Sequence, residues 1–133
     1  MIVSEGMSSV VLTVGPDQPL RDVARLMTER NVGAAVVLDP DAAGPGIVTE
    51  RDILRAYAEE RVTGDDPAQN YATERAVFAA PDWSLEHAAD VMVRGNFRHL
   101  IVVDGSEIVG LLSMRDIVTC WARDGATSEM PGV

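Results

Sequence analysis

Two hydroxyl–carboxylate pairs are the residues of this sequence whose types and spacing could do chemistry. Thr49 and Asp52 stand three positions apart, and Ser113 and Asp116 repeat that spacing 64 residues later. At a helix start, where unpaired amides attract phosphate, the hydroxyl can donate to a phosphate or ribose oxygen and the Asp can accept both ribose hydroxyls. The same pattern is also a capping box, which satisfies the first amides of a helix without any ligand. The residues alone leave both interpretations open.

Each pair closes one copy of an internal repeat. Both pairs follow a glycine and two aliphatic residues, and both are followed by Ile directly after the Asp. At an offset of 65 residues the earlier parts also align, with Pro16-Asp17 matching Pro81-Asp82 and Asn31 matching Asn96. The offset falls to 64 in the turn before each glycine, a change that a hairpin loop tolerates.

The patterning predicts a strand, a helix, two strands and a second helix in each copy. In the first copy the strands are expected at 10–14, 34–38 and 46–48, with Asp17 capping the first helix and the second helix at 52–60. The first helix carries one apolar stripe at helical spacing: Leu20, Val23, Ala24 and Met27.

The second copy repeats this order. Its strands are expected at 76–79, 99–103 and 107–112, and its last helix at 114–123. The predicted stripe of the helix between them is Leu85, Ala88, Ala89 and Met92.

The predicted fold is therefore α+β, with two tandem β-α-β-β-α units. We expect the units at residues 8–62 and 75–124, with a polar linker at 63–74 and a disordered tail at 125–133. The first eight residues are compatible with either a short lead-in helix or an unpaired arm.

The composition argues against several classes of function. The 133 residues carry 11 basic and 21 acidic side chains, so the net charge of −10 disfavours nucleic-acid binding. The single cysteine, Cys120, permits no intrachain disulfide, and the sequence shows neither a signal peptide nor a membrane-spanning apolar run. We therefore expect a cytoplasmic protein without membrane contact. Two distant histidines and one cysteine indicate no metal site and no nucleophile triad.

Two tandem units that each end in Gly-aliphatic-aliphatic-Ser/Thr-x-x-Asp resemble a pair of CBS domains (cystathionine-beta-synthase domains). Residues 97–104, Phe-Arg-His-Leu-Ile-Val-Val-Asp, resemble the second-strand pattern of that family. The similarity covers residues 8–123, and the sequence looks like a stand-alone CBS pair.

The resemblance implies a fold, a ligand and a mode of action. CBS units usually pack as a pseudo-twofold pair, and two pairs commonly form a disc-like homodimer. The clefts between units often bind adenosine-containing ligands such as AMP, ADP, ATP or S-adenosylmethionine. The resemblance thus implies a ligand sensor in signal transduction, with an adenine nucleotide as ligand, an unknown effector protein as partner and no enzymatic activity.

In the family, each cleft combines the Ser/Thr-x-x-Asp of one unit with the first two strands of the other unit. By that resemblance the first cleft, called here the favoured cleft, comprises Thr49, Asp52, Val77, Phe97, Arg98 and His99. The second cleft comprises Leu12, Val32, Gly33, Ala34, Ser113 and Asp116.

The two clefts differ in charge, because Arg98-His99 stands where the first copy has Gly33-Ala34. Arg can bind a phosphate bidentately, so we expect a phosphorylated nucleotide to prefer the favoured cleft. We expect the second cleft to be empty, to bind more weakly, or to take a less charged nucleoside. Neighbouring strand residues face opposite sides, so Arg98 and His99 need not both reach one ligand.

Other interpretations stay open. The pair could dimerise or dock on a partner without any ligand, through apolar helix faces left over after pair formation. Arg98 could make an ordinary surface salt bridge. A hydrolase that uses Asp52 or Asp116 is disfavoured, because the sequence supplies neither an acid/base pair nor a metal-ligand cluster.

Overall fold

The computed structural model describes residues 1–59, 64–73 and 76–123, and the predicted tail at 125–133 lies outside them. The chain divides into two compact units. The first unit is Val11–Ala76, and the second unit combines Met1–Val10 with the chain from Val77 onward.

Each unit has the predicted strand-helix-strand-strand-helix order, which confirms the α+β class. In chain order the elements are α1 (Val3–Gly6), β1 (Thr13–Val14), α2 (Leu20–Arg30), β2 (Ala34–Val37), β3 (Gly46–Thr49), α3 (Glu50–Ala58), a 3-10 helix (Ala68–Asn70), β4 (Phe78–Ala79), α4 (Leu85–Gly95), β5 (His99–Asp104), β6 (Glu107–Ser113) and α5 (Met114–Arg123).

The two sheets have the same topology. Each has three strands in sequence order, with the first two parallel and the last two antiparallel. The antiparallel register places Ala34 opposite Thr49 in the first unit and His99 opposite Ser113 in the second. The hydroxyl residue of each motif therefore lies across the sheet from the first residue of the preceding strand.

The apolar stripes of α2 and α4 form the predicted core contacts. Leu20, Val23 and Met27 are buried in the first unit, whereas Ala24 is only half-buried. Their repeat equivalents in α4 are buried in the second unit: Leu85, Ala88 and Met92. Every buried side chain in the described part of the chain is apolar or glycine, so hydrophobic burial supplies the core of each unit.

The predicted cap at Asp17 is wrong, since α2 begins at Leu20 with Pro19 in the capping position and no side-chain cap. Pro19 has no side-chain acceptor, and the Arg21 amide, which a side-chain cap would satisfy, instead donates to the Gly64 carbonyl oxygen at 2.9 Å. The equivalent helix α4 is capped by a side chain, because Ser84 accepts a 3.0 Å hydrogen bond from the His87 amide.

The first strand of each unit is shorter than predicted. Only Thr13 and Val14 pair with β2, and only Phe78 and Ala79 pair with β5. Val10, which the sequence assigned to a strand, is 72% exposed. Helix α3 begins two residues earlier than predicted, because Thr49 caps it.

The segment that opens the chain packs into the second unit. Of the two alternatives for this segment, the structure has the lead-in helix, and Val3 in it is fully buried. The Val3 amide donates to the Trp83 carbonyl oxygen at 2.8 Å, and Ser8 and Leu111 exchange two backbone hydrogen bonds of 2.9 Å each. We call residues 1–8 the first lead-in.

The described part of the predicted linker packs into the first unit in the same way. The Ala68 amide donates to the Gln18 carbonyl oxygen at 2.8 Å, and Thr73 and Ile47 exchange backbone hydrogen bonds of 2.8 and 3.2 Å. We call residues 66–73 the second lead-in. Its contacts reproduce those of the first lead-in at the repeat offset, so the structural repeat includes both segments.

Candidate ligand-binding site

The first motif forms a complete capping box. The Thr49 amide and the Thr49 hydroxyl both donate to Oδ2 of Asp52, at 2.9 and 3.0 Å, while the Asp52 amide donates to Thr49 Oγ1 at 3.3 Å. Both side chains are half-buried. The capping interpretation of this motif is therefore correct, and the box satisfies amides that a helix start leaves unpaired.

The second motif has the same backbone arrangement with one difference. The Ser113 amide donates to Oδ2 of Asp116 at 2.8 Å, and the Asp116 amide donates to Ser113 Oγ at 3.0 Å. The Ser113 hydroxyl accepts in this box, whereas the Thr49 hydroxyl also donates to its carboxylate. Both motifs leave the Oδ1 atom of the Asp out of the capping box.

A backbone hydrogen bond attaches the start of each second helix to the residue directly before the middle strand of its sheet. The Glu50 amide donates to the Gly33 carbonyl oxygen at 3.0 Å, and the Met114 amide donates to the Arg98 carbonyl oxygen at 2.8 Å. Within a unit, each motif is thus a direct neighbour of the first residue of β2 or β5 and of the residue directly before that strand.

The structure groups the predicted site residues by unit. Thr49 and Asp52 lie beside Gly33 and Ala34 in the first unit. In the second unit Ser113 and Asp116 lie beside Arg98 and His99. The predicted clefts combine the two groups crosswise, and that combination stays a prediction.

The remaining predicted residues occupy equivalent positions in the two units. The carbonyl oxygen of Leu12 accepts from Val36 at 2.9 Å, and that of Val77 accepts from Ile101 at 3.0 Å. Leu12 is buried and Val77 is half-buried. Each residue therefore lies on the first-strand side of its sheet.

Val32 and Phe97 follow helix ends of identical geometry. Asn31 and Asn96 adopt the left-handed conformation, with φ of 53° and 58°. The amide of Val32 then reaches the Met27 carbonyl oxygen at 3.0 Å, which is the 6→1 bond of a Schellman motif. Both apolar side chains are half-buried against the core of their own unit.

The charged and polar candidates differ in exposure. Arg98 is exposed and His99 is half-buried at the first position of β5.

The sequence-based interpretation missed Gly95, where a methyl group would overlap the Phe97 ring. Its only signal in the sequence is a glycine directly before the helix-ending Asn96.

Within residues 1–59, 64–73 and 76–123, no three His, Cys, Asp or Glu side chains are grouped so as to hold a metal ion. Over the same ranges, no helix has the length and apolar character needed to cross a membrane.

Comparison with known proteins identifies the fold. The sequence model of the CBS domain family matches this chain twice, at residues 3–59 and 68–122. The chain is 34% identical over 133 residues to the CBS domain-containing protein YhcV of Bacillus subtilis (strain 168), covering 98% of this chain and 94% of that protein.

Two solved structures have the same fold. A protein with CBS domains from Burkholderia ambifaria MC40-6 superposes with a TM-score of 0.85 at 29% identity, covering 93% of this chain and 96% of that one. A CBS domain protein from Pyrobaculum aerophilum complexed with AMP gives a TM-score of 0.78 at 32% identity, covering 92% and 99%.

The fold and the two capping motifs define a tandem-repeat protein. In each repeat the last helix of the strand-helix-strand-strand-helix order begins with a Ser/Thr-x-x-Asp capping motif. The chain belongs to the CBS domain family, and the family model covers both of its repeats.

Proposed function

We propose that this protein is a regulatory module that binds an adenosine-containing nucleotide and signals through its conformation or its dimer contacts. The observation that carries the proposal is the pair of half-buried Asp carboxylates, each held at a strand-to-helix junction by its own capping box. The AMP complex of the 32% identical Pyrobaculum aerophilum protein supports the choice of ligand.

The chemistry of the first motif suits a nucleoside. Both capping bonds to Asp52 end on Oδ2, so Oδ1 can accept a ribose hydroxyl without breaking the box. The Thr49 hydroxyl donates to Asp52 and can turn to a ligand oxygen instead. This change of hydrogen-bond acceptor costs little free energy, because one hydrogen bond of the hydroxyl replaces another.

The favoured cleft remains the proposed principal site. It combines the first motif with one cation and an apolar wall from the second unit: Thr49, Asp52, Val77, Phe97, Arg98 and His99. The exposed Arg98 side chain can bind a phosphate bidentately. The second cleft has glycine in place of the arginine and is proposed to bind more weakly. Its residues are Leu12, Val32, Gly33, Ala34, Ser113 and Asp116.

Thermal unfolding in the presence of AMP, ADP, ATP, NAD and S-adenosylmethionine tests the proposal. A ligand at 100 times its Kd stabilises the folded state by about 2.7 kcal/mol, which raises the Tm by several degrees. Inorganic phosphate at the same concentration is the control for nonspecific ion binding. A Tm that stays constant with all five compounds would contradict nucleotide binding.

A ligand-free dimerisation module is the second candidate function, and a repeated surface feature favours it. Leu54 and Tyr57 on α3 are 71% and 49% exposed, and their repeat equivalents on α5, Val118 and Trp121, are 54% and 41% exposed. We call these four residues the paired apolar patch. A patch that occurs twice in one chain suits a twofold contact with a second copy of the chain, because such interfaces bring the same surface together.

No catalytic step forms part of the proposed function. The ligand acts by binding one conformation better than another, as in other sensor modules. The cytoplasmic location expected from the sequence belongs to the same proposal.

A further inference from the structure

The two lead-ins are exchanged between the repeats. The first lead-in opens the first copy of the repeat but docks on the second unit, whereas the second lead-in opens the second copy and docks on the first unit. The hydrogen bonds of the two lead-ins agree pair by pair at the repeat offset. The exchange is therefore a property of the repeat, present in both copies.

Each lead-in pairs with the strand that carries a motif. Ser8 bonds to Leu111 of β6, two residues before Ser113. Thr73 bonds to Ile47 of β3, two residues before Thr49. Residues two apart on a strand face the same side, so a shift of the motif along or across its strand acts directly on the docked segment.

The first lead-in also packs against both flanks of its motif. Val3 is fully buried in one cluster with Leu112 and Ile117, which directly precede Ser113 and directly follow Asp116. Close-packed interiors transmit small displacements, because their side chains have few alternative arrangements. A change in the angle between β6 and α5 must therefore move the Val3 contact.

The second lead-in has the equivalent position in the first unit. Ala68 is fully buried with Val48, which directly precedes Thr49. Ile53, which directly follows Asp52, packs against the same cluster.

The glycine that opens each motif faces the lead-in. A methyl group at Gly110 would overlap the Met7 sulfur and lie 2.9 Å from the Ser8 carbonyl oxygen. At Gly46 a methyl group would meet Ala72 Cβ and the Thr73 carbonyl oxygen at 3.4 Å. The missing side chain of each glycine leaves room for the lead-in to lie against the strand. The first lead-in lies closer to Gly110 than the second lead-in lies to Gly46.

We propose that each lead-in reports the state of the motif on which it docks: the first lead-in reports Ser113–Asp116, and the second reports Thr49–Asp52. Because the lead-ins are exchanged, the conformation of each motif is then coupled to the segment that opens the other copy of the repeat. The response to nucleotide rests on the proposed function, whereas the response to motif substitutions does not.

Hydrogen exchange of the full-length chain, followed by mass spectrometry of peptides from residues 1–10 and 66–73, tests the proposal. We expect Asp116→Ala to accelerate exchange in residues 1–10 by about tenfold and to leave residues 66–73 unchanged, with the reverse for Asp52→Ala; a tenfold change corresponds to about 1.4 kcal/mol. Equal acceleration of both peptides by either substitution would overturn the proposal.

A control variant separates this coupling from general loosening of the second unit. Val93→Gly weakens the C-terminal end of α4, because glycine is a poor helix former; Val93 is 70% exposed, and the first lead-in makes its backbone bonds at the opposite end of that helix, at Pro81, Trp83 and Leu85. We expect it to leave residues 1–10 protected. Acceleration equal to that of Asp116→Ala would mean that the first lead-in follows unit stability and not the motif.

AMP provides the second arm of the experiment. With AMP bound to the wild-type chain, as measured by calorimetry, we expect exchange in at least one lead-in to change by about threefold or more, about 0.65 kcal/mol. Measured AMP binding with unchanged exchange in both lead-ins would overturn the proposal and leave the proposed function intact. Absence of AMP binding would contradict the proposed function for this ligand, and the substitutions would still decide the coupling.

Discussion

The amide of Met114 donates a 2.8 Å hydrogen bond to the carbonyl oxygen of Arg98, which joins the start of α5 to the residue directly before β5. The equivalent bond in the first unit runs from Glu50 to Gly33. Because both bonds involve only backbone atoms, the two copies share this geometry whatever side chain the position carries. The arginine therefore adds a charged group to a position that the backbone has already fixed.

Substitution of that arginine should weaken phosphate recognition without disturbing the fold. We expect Arg98→Ala to weaken AMP binding about 10- to 100-fold and adenosine binding much less, because hydrogen bonds to charged groups contribute about 1.5–3 kcal/mol. Calorimetry with AMP and with adenosine measures the difference. Arg123→Ala, at an exposed position in the last turn of α5 and outside both motifs, is the matched control. An equal loss for both ligands would argue against a phosphate contact.

Removal of the two motif carboxylates should affect binding unequally. Asp52→Ala should reduce AMP affinity about tenfold more than Asp116→Ala, because the favoured cleft contains the first motif. Each substitution also removes one capping box, so each should lower the free energy of unfolding by about 0.5–2 kcal/mol. Binding isotherms and urea unfolding separate the two effects. The opposite order of affinities would refute the assignment of the clefts.

The two motif glycines should differ in their tolerance of alanine. We expect Gly110→Ala to destabilise the protein by about 1–3 kcal/mol, because the added methyl group overlaps the Met7 side chain and crowds the Ser8 carbonyl oxygen. Gly46→Ala serves as the matched variant and should cost much less, since its nearest neighbours are at 3.4 Å. Urea unfolding of both variants measures the difference. Equal destabilisation would show that the contacts with Met7 and Ser8 do not decide the cost of the added methyl group.

The paired apolar patch should mediate self-association. We expect Tyr57→Glu and Trp121→Glu each to shift the chain from dimer to monomer, because a charge buried in an apolar contact is strongly unfavourable. Sedimentation at two concentrations measures the change. Val93→Glu alters a residue that is 70% exposed and outside the patch, and it should leave the dimer intact. A wild-type chain that is monomeric at both concentrations would rule out the dimer.

The sequence by itself determined the elements, the repeat and the capping boxes. The stripe of Leu20, Val23 and Met27 and the spacing of Thr49 and Asp52 are local patterns, and local hydrogen bonds and helical periodicity decide their structure. The two capping boxes formed as the pattern indicated, with the helix starts placed within two residues of the prediction.

Only the tertiary structure decided where the lead-ins dock and what they replace. The cap expected at Asp17 is absent because α2 begins at Leu20 with Pro19 in the capping position, and because the Arg21 amide bonds to the Gly64 carbonyl oxygen, 43 positions away in the chain. Residues 64–73 look like a polar linker because many of their contacts are backbone hydrogen bonds, and because the segment buries only the small Ala68 side chain fully, with Tyr71 and Ala72 half-buried beside it. Backbone partners leave almost no trace in side-chain patterns, so the exchange of the two lead-ins could be found only in the folded chain.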